Sequence, residues 1–239
     1  MANVICMKWG TKYGPEYVNK LRGMVLRNLT IPHRFVCFTE NATGLRPDIE
    51  VKPLPEMNLP PGKERGWRKL STFASPLADL TGPTLFLDID IVITGGLDEF
   101  FSYLPGKFCI IHDWQKPWRI TGNSSVYRFE AGAHPEILGY FLSNIDRVKS
   151  EVRHEQAYLS RELHRQNKLN YWPKEWCVSF KYGCIPRFPL NFIKPPRLPG
   201  TAKVIVFHGN PNPDEAISGK GKGLRHHVLP TDWITEHWR

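Results

Sequence analysis

Residues 84–93 form the most strongly apolar strand pattern of the chain, yet they contain two aspartates. Asp88 and Asp90 are two positions apart, so an extended strand directs both side chains to one face and Ile89 to the other. The apolar residues around them predict a central strand that is buried on both faces. Two carboxylates are costly in such a place unless something compensates their charge.

The position of this aspartate pair predicts a binding site for a divalent cation or a phosphate group. Mg²⁺ and Mn²⁺ prefer carboxylate oxygens as ligands. Asp88 and Asp90 also lie toward the carboxyl end of the apolar segment, where open α/β sheets bind their ligands. The alternative is that the two aspartates cap a helix or face solvent in a turn, which their apolar surroundings disfavour.

Strand and helix signals alternate along the chain and predict an α/β fold with a mostly parallel central sheet flanked by helices. Pro15 fits the first turn of a helix that continues to about residue 28. An apolar helical pattern over 67–80 predicts a second helix, which Pro76 kinks or shortens. We expect strands over 4–7, 34–39, 49–51, 84–93, 108–111, 125–129 and 204–207, and further helices over 135–144 and 155–166.

The composition indicates a single globular domain over residues 1–239. Hydrophobic residues make up 41% of the chain, and no apolar run approaches the roughly 20 residues of a membrane-spanning helix. The first residues lack the pattern of a secretory signal peptide. Five cysteines at irregular spacing do not predict a disulfide framework, so we expect a reduced, cytoplasmic protein. A zinc site at Cys177 and Cys184 is the alternative, although close CxxC pairs are missing.

The formal net charge of +9 permits binding to nucleic acid, to an anionic membrane surface or to a phosphorylated ligand. The lysines and arginines do not form one dense tract, and the sequence has no helix-turn-helix or RNA-recognition pattern. We therefore expect a small phosphorylated ligand and no nucleic acid. Peripheral contact with the inner surface of a membrane stays open.

Residues 86–90, Phe-Leu-Asp-Ile-Asp, resemble the D-x-D strand of GT-A glycosyltransferases in the neighbourhood of family 8. The resemblance implies the Rossmann-like GT-A fold of nucleotide-diphospho-sugar transferases. It also implies a nucleotide-binding half over 1–105 and a sugar and acceptor half over 106–239. The motifs that appear in the expected order are the opening strand, the helix start at Trp67, Arg68 and Lys69, the D-x-D strand, Asn123 with Ser124 and Ser125, Glu155 with Gln156, and His208 with Gly209.

The resemblance implies a metal-dependent glycosyltransferase that moves a sugar from a nucleotide-diphosphate sugar, with UDP-hexose favoured, to a hydroxyl of a carbohydrate or lipid-linked acceptor. Similar enzymes use the first aspartate, here Asp88, on donor ribose or metal, and the second, Asp90, on Mn²⁺ or Mg²⁺. They take a third metal ligand from a late histidine, which is here His208 after an apolar strand. Residues 210–213 depart from the family pattern, because Asn-Pro-Asn-Pro replaces the usual continuation.

Four further residues are expected on the nucleotide side. In similar enzymes a basic residue at the place of Lys69 contacts donor phosphate or sugar, and a solvated surface lysine is the alternative. Trp9, Lys12 and Tyr13 lie in the loop after the first strand, where the base or ribose would bind. An aromatic ring in that loop can stack on the base, although Tyr13 can equally be a surface aromatic residue.

Five residues are expected on the sugar side. Asn123 and Ser124 precede a strand and can hydrogen-bond sugar hydroxyls, or they can form a turn. Glu155 and Gln156 open a helix, and the resemblance implies that they lie close to the reacting carbon. A carboxylate at this place can also simply favour the helix dipole. Asp113, which follows an apolar strand, is a further candidate for the catalytic site.

Residues 218–223, Ser-Gly-Lys-Gly-Lys-Gly, form a short basic segment that we expect to be flexible. Glycine lets backbone N–H groups approach phosphate, and Lys220 and Lys222 add positive charge. The strand–loop–helix context of a Walker loop is missing. We predict a lid over the donor diphosphate, with a disordered tail as the alternative.

Two other functions stay open. Nucleotidyltransferases that make nucleotide sugars carry a glycine-rich basic signature near the first strand, which residues 10–14 match poorly. A non-catalytic nucleotide-sugar binder on the same fold would keep the same binding residues. If the chain is a glycosyltransferase, the resemblance to family 8 favours retention of configuration at the transferred sugar.

Overall fold

Two sheets organise the chain. The structure is a computed structural model that describes residues 1–221 and 223–239, so Lys222 lies outside the described residues. The strands are β1 (Ala2–Lys8), β2 (His33–Thr39), β3 (Glu50–Lys52), β4 (Pro83–Leu87), β5 (Ile91–Ile93), β6 (Cys109–His112), β7 (Gly122–Glu130), β8 (Asn170–Tyr171), β9 (Cys177–Ser179) and β10 (Val204–Val206).

The central sheet has seven strands in the order β3-β2-β1-β4-β7-β6-β8. The pairs among β1 to β4 are parallel, as is the pair of β6 with β8. Strand β7 is reversed and runs antiparallel to both β4 and β6. The sheet is therefore mostly parallel, as predicted. The smaller sheet has the order β5-β10-β9, with β10 antiparallel to β5 and parallel to β9.

Helices cover both faces of the central sheet. In the described part of the chain, none of them combines the length and the apolar composition needed to cross a bilayer. They are α1 (Pro15–Asn28), α2 (Asp98–Ser102), α3 (Pro135–Ser143), α4 (Ile145–Glu151), α5 (Glu155–Arg165), α6 (Pro213–Ile217) and α7 (Asp232–His237), with 3-10 helices at Trp67–Phe73, Leu190–Phe192 and Leu224–His226 and a π-helical turn at Phe180–Cys184.

Strand β1 is buried along its whole length and lies between two apolar cores. Val4 and Cys6 belong to one core, and Ile5 and Met7 belong to the other. This alternation follows from the two-residue period of a strand. A strand buried on both faces needs cover on both sides, which explains why its sequence is apolar at almost every position.

The predicted helix over 67–80 is wrong beyond its first half. Residues Trp67–Phe73 form a 3-10 helix, and Ala74 is already extended. Pro76 has no N–H to donate, so a helical hydrogen-bond pattern cannot continue through it. Leu77 and Leu80 are nevertheless buried. Their apolar spacing therefore reflects the packing of an irregular segment.

The predicted strand over 84–93 is wrong as a single strand. Strand β4 ends at Leu87, residues 88–90 form a turn, and β5 pairs with β10 in the smaller sheet. The Asp88 N–H donates to the Ser125 oxygen at 2.9 Å as the chain leaves the central sheet. Asp88 and Asp90 therefore do not share one strand face. They lie instead where the chain passes from one sheet to the other.

Candidate functional site

The turn between β4 and β5 carries two carboxylates that receive contacts from different parts of the chain. Lys69 Nζ lies 2.7 Å from Asp88 Oδ1 and 2.8 Å from Asp88 Oδ2. Asp90 accepts a hydrogen bond of 2.6 Å from the Tyr13 hydroxyl. Lys12 Nζ donates to that same hydroxyl oxygen at 2.6 Å. The structure thus brings together residues that the sequence suggested separately.

Burial makes ionisation of the second aspartate unfavourable. Burial and the neighbouring charge of Asp88 raise the pKa of Asp90 to about 6. Burial by itself lowers the pKa of Lys69, but the charges of Asp88 and Glu155 outweigh it, so the pKa is raised and the ammonium stays protonated. Burial and the charge of Asp90 raise the pKa of Tyr13, which keeps its hydroxyl as a donor. A further cation beside Asp90 would stabilise its ionised form.

Glu155, at the start of α5, is only 4% exposed. Its carboxylate accepts a hydrogen bond from Ser124 Oγ, and the Ser124 carbonyl oxygen lies 3.4 Å from Lys69 Nζ. Gly66 packs against the same carboxylate, because a Cβ on Gly66 would lie 2.6 Å from Glu155 Oε2. Burial raises the pKa of Glu155. Glu155 is therefore part of a buried polar chain that continues through Ser124 and Lys69 to Asp88.

The side chains of Asn123 and Gln156 are half-buried and hold the backbone beside this polar chain. Asn123 Oδ1 accepts from the Ser125 N–H at 3.0 Å, which is the turn-forming contact expected as its alternative role. Gln156 Oε1 accepts from the Ser124 N–H at 3.4 Å. Their amide nitrogens remain available as donors to a ligand in the adjoining cavity.

His208 follows β10 and lies between two aromatic rings. Its ring centroid is 5.6 Å from that of Trp114 and 5.5 Å from that of Tyr182, with both pairs stacked. Its Nε2 is 2.7 Å from Ser179 Oγ, and Lys181 Nζ donates to its carbonyl oxygen at 2.7 Å. Burial and the charge of Lys181 lower the pKa of His208 to about 4. The imidazole is therefore neutral at physiological pH, which is the form that binds a metal.

Three cavities surround these residues. We name them the loop cavity of about 590 Å³, the central cavity of about 220 Å³ and the outer cavity of about 540 Å³. The central cavity shares wall residues with both others. Among the predicted site residues, the loop cavity is lined by Trp9, Lys12, Tyr13, Lys69, Asp88 and Asp90, the central cavity by Lys69, Asp88, Asp90, Asn123, Ser124, Glu155, Gln156 and His208, and the outer cavity by Asp113, Asn123, Gln156 and His208.

The glycine- and lysine-rich segment is the one predicted part of the site that stands apart. Lys220 is exposed and lies outside the walls of these three cavities, and Lys222 is outside the described residues. The Lys220 N–H donates to the Glu215 oxygen at 2.8 Å, and a Cβ on Gly221 would lie 2.2 Å from the His226 oxygen. The described part of the segment is therefore packed against the chain. The lid stays a prediction.

The predicted metal ligands meet in one cavity without forming a ligand cluster. Over residues 1–221 and 223–239, no three His, Cys, Asp or Glu side chains are arranged to hold a metal ion. Asp88 is paired with Lys69, and His208 faces Ser179. Carboxylates and a neutral imidazole are nonetheless a donor set that suits Mn²⁺ or Mg²⁺, and the raised pKa of Asp90 marks a place where positive charge is favourable. The metal site stays a prediction.

Sequence reasoning missed several residues that shape this site. Trp114 directly follows Asp113, so its position next to a predicted site residue could have indicated it. Gly66 precedes the 3-10 helix that carries Lys69, and its φ of 78° is one that glycine adopts without strain. Tyr182 gave no signal, because its contact with His208 arises only when the π-helical turn packs beside β10.

The departure at residues 210–213 has a structural reason. Asn210 Nδ2 donates to both oxygens of Glu215, and the Asn212 N–H donates to Glu215 Oε2 at 2.8 Å. Asn212 and Glu215 form a capping box at the start of α6, and Pro213 occupies its first turn. These residues therefore build the start of α6, which follows the short segment after His208.

Comparison with known proteins gives matches at the level of structure. No protein-family model and no curated protein matches the sequence. The galactosyltransferase LgtC, solved in complex with donor and acceptor sugar analogs, is similar with a TM-score of 0.60 at 13% identity over 88% of each chain. An active-site mutant of LgtC, with glutamate in place of glutamine, gives a TM-score of 0.59 at 12% identity over 88% of this chain and 89% of LgtC.

A second glycosyltransferase shares the same architecture. GlyE from Streptococcus pneumoniae TIGR4 gives a TM-score of 0.64 at 11% identity and covers 89% of this chain. The chain spans only 56% of the GlyE structure. At these identities the similarity establishes the fold, and this chain has the predicted GT-A fold of the glycosyltransferases LgtC and GlyE.

Proposed function

We propose that this chain is a glycosyltransferase that moves a hexosyl group from a nucleotide-diphosphate sugar, UDP-hexose in the first instance, to a hydroxyl of a carbohydrate or lipid-linked acceptor. The observation that carries this proposal is the D-x-D turn at the junction of three cavities on a GT-A fold. Transfer needs two substrates held beside one reacting carbon. LgtC was solved with both donor and acceptor analogs, which supports two ligands here as well.

The loop cavity is the proposed place of the nucleotide. Its wall residues all come from positions 7–90, which supports a nucleotide-binding half over 1–105. Trp9 and Tyr13 offer aromatic surface to a base or ribose. Lys12 and Lys69 offer positive charge to a diphosphate. Lys220 and Lys222 remain proposed as additional charge from the basic segment.

A divalent cation, Mn²⁺ or Mg²⁺, is the proposed cofactor, and Asp88, Asp90 and His208 are the residues that would hold it. When bound, such an ion neutralises negative charge that develops on the departing diphosphate. Lys69, which contacts Asp88, supplies a second positive charge on the same side of the site. The negative charges of Asp88 and Glu155 raise the pKa of Lys69, so its ammonium stays protonated and positively charged.

The central and outer cavities are the proposed place of the sugar and the acceptor, within the half over 106–239. Gln156 and Asn123 line both cavities, and their amides can donate to sugar hydroxyls. The active-site mutant of LgtC replaces a glutamine, which supports a role for a glutamine such as Gln156. Glu155 is buried against Ser124, so we assign it to positioning Ser124 and Lys69 rather than to direct attack.

Retention of configuration is the proposed stereochemistry. Asp113 and Glu151 both line the outer cavity, and because Glu151 is paired with Arg147 and Arg161, Asp113 is the carboxylate that we assign to an acceptor hydroxyl there. Its Oδ1 already accepts from the Gln115 N–H at 3.0 Å. Proton NMR of the anomeric product signal tests the assignment. An inverted product would contradict it and would give Asp113 the role of base.

Donor binding and donor cleavage test the proposed function together. A panel of nucleotide sugars is screened by thermal shift with and without Mn²⁺, and UDP release is then measured for the donors that bind. We expect Mn²⁺-dependent UDP release that is lost in Asp90→Asn and kept in Asp146→Asn, which changes an exposed aspartate on α4. Binding without UDP release would identify a non-catalytic binder. Release of pyrophosphate from UTP and a sugar 1-phosphate would identify a nucleotidyltransferase.

A further inference from the structure

Large apolar side chains are concentrated on one exposed face of the second half of the chain. We define the docking face as residues 187–194 together with 224–227. Ile193 is 72% exposed, Leu224 is 68% exposed and Phe188 is 56% exposed. Leu190 and Phe192 are also exposed. Clustered exposure of this kind marks an interaction surface, whereas single exposed apolar residues do not.

Specific contacts join the two segments into one surface. Asn191 is buried, and its Nδ2 donates to the Leu224 oxygen at 2.8 Å and to the His227 oxygen at 3.2 Å. The Phe192 ring stacks on His227 with centroids 4.3 Å apart and an interplanar angle of 6°. Phe188 makes an edge contact with Phe192. The apolar groups are therefore held in place before any partner binds.

The charged side chains within the two segments of this face have one sign. Between Glu175 and Asp214 the sequence has no aspartate or glutamate. The same is true of residues 216–231. Exposed basic side chains accompany the apolar ones in both segments, namely Arg187, Lys194 and Arg225, and the exposed Arg197 follows the first segment.

We infer that the docking face binds the surface of an anionic lipid bilayer. Aromatic and aliphatic side chains enter the boundary between headgroups and acyl chains, while neighbouring lysines and arginines contact anionic headgroups. A second copy of this chain would place like charges against each other, which disfavours self-association through this face. The inferred contact is peripheral, because it is made by exposed side chains of the docking face.

The docking face is linked to the proposed site. Tyr182 stacks on His208 and lies 6.3 Å, between ring centroids, from His226. His208 lines the outer cavity, and His226 immediately precedes the stacked His227. A bilayer against this face would bring a lipid-linked acceptor close to the outer cavity. This last step depends on the proposed function, whereas the membrane contact does not.

Vesicle flotation with the full chain tests the inference. We expect the protein to float with vesicles of phosphatidylcholine mixed with phosphatidylglycerol, to float weakly with phosphatidylcholine alone, and to be released by added NaCl. The double variant Phe188→Ser/Ile193→Ser and the double variant Arg187→Glu/Lys194→Glu should each lower partitioning at least about ten-fold.

Matched variants elsewhere on the surface distinguish a specific effect of the docking face from a general effect of lost apolar area or charge. Leu26→Ser/Val51→Ser changes exposed apolar residues on α1 and β3, and Lys107→Glu/Arg165→Glu changes exposed basic residues elsewhere. Each should alter partitioning less than about two-fold. All four variants should keep the thermal stability of the wild type and its release of UDP from a soluble donor, because none of the changed residues is buried.

Several results would overturn the inference. These are absence of flotation with both vesicle types, equal flotation of the wild type and both docking-face variants, and a dimer in light scattering that Phe188→Ser/Ile193→Ser dissolves while vesicles bind nothing. Binding to an acidic protein or to RNA without binding to vesicles would do the same. Vesicle binding without any UDP release would contradict only the proposed function, because flotation requires no donor.

Discussion

Asp90 is half-buried beside a second carboxylate, and the fold therefore favours its protonated form. Its pKa of about 6 lies above the ordinary value of 3.8. A group whose pKa is raised in the folded state contributes stability that is fully present below the unfolded-state pKa and lost as pH rises through the folded-state pKa. Stability from Asp90 is therefore present below about pH 4 and is lost by about pH 6. A cation that stabilises the ionised form would restore it.

Asp90→Asn should stabilise the metal-free protein near neutral pH and abolish donor cleavage. Removing the half-buried charge should raise the free energy of unfolding on the order of 1–3 kcal/mol at about pH 7.5, and the gain should vanish near pH 4. Urea unfolding in EDTA at both pH values measures this. Asp146→Asn is the control and should change neither value. A loss of stability in Asp90→Asn at neutral pH would show that Lys12 and Tyr13 already compensate the carboxylate.

Lys69 should contribute to the stability of the fold as well as to donor binding. Its ammonium lies between Asp88 and the buried Glu155, so Lys69→Met leaves carboxylates without their partner. We expect a loss of roughly 2–4 kcal/mol, somewhat less than for a fully buried pair because both side chains keep some exposure. The double variant Lys69→Met/Asp88→Asn should recover part of the loss in urea unfolding. Equal stability of the single and double variants would contradict the ion pair.

Elements with a regular apolar period were predictable from the sequence. Helix α1 ends at Asn28 and α5 begins at Glu155, as the spacing predicted. The division of segment 84–93 into two strands was not predictable from the sequence. Apolar residues on both sides of Asp88 are buried whether they belong to one sheet or to two, so their pattern does not distinguish the two cases. Backbone pairing with β7 and β10, far away in the sequence, decides where the strand breaks.

The same limit applies to the candidate site. Residue type and position beside or within apolar strands indicated Tyr13 and Asp90, whereas Lys69 was indicated by its place at a helix start and by the resemblance to family 8. Which of them touch each other depends on contacts between distant parts of the chain, which spacing does not contain. The aromatic rings around His208 and the packing of Gly66 on Glu155 are of this kind.

The segment before the 3-10 helix should tolerate no side chain at Gly66. Its φ of 78° disfavours other residues, and a Cβ would meet the Glu155 carboxylate at 2.6 Å. Gly66→Ala should lower stability by about 1–3 kcal/mol and slow UDP release, because Glu155 and Lys69 must shift. Gly139→Ala is the control: Gly139 lies within α3 with open space around it, and alanine favours helix. Thermal melting should show loss only for Gly66→Ala, and equal effects would contradict the close packing.

At the scale of the whole molecule, the two larger cavities share no wall residue, whereas each of them shares wall residues with the central cavity. Lys12 lines the loop cavity, whereas Arg119 lines the outer cavity. The loop that carries Arg119 is fixed by a hydrogen bond of 2.8 Å between His112 Nε2 and the Arg119 oxygen. Each residue can therefore be changed without altering the walls of the other cavity. This separation makes the division between donor and acceptor testable.

Lys12→Gln should impair use of the donor, whereas Arg119→Gln should impair use of the acceptor. Lys12→Gln should weaken UDP binding in the presence of Mn²⁺ about ten-fold, because a charge facing the diphosphate is lost. Arg119→Gln should change UDP binding less than about two-fold while it slows transfer to an acceptor relative to release of the sugar to water. Calorimetric titration of UDP and product analysis measure the two effects. If Arg119→Gln weakened UDP as strongly as Lys12→Gln, the nucleotide would extend into the outer cavity, and the acceptor would have to bind elsewhere.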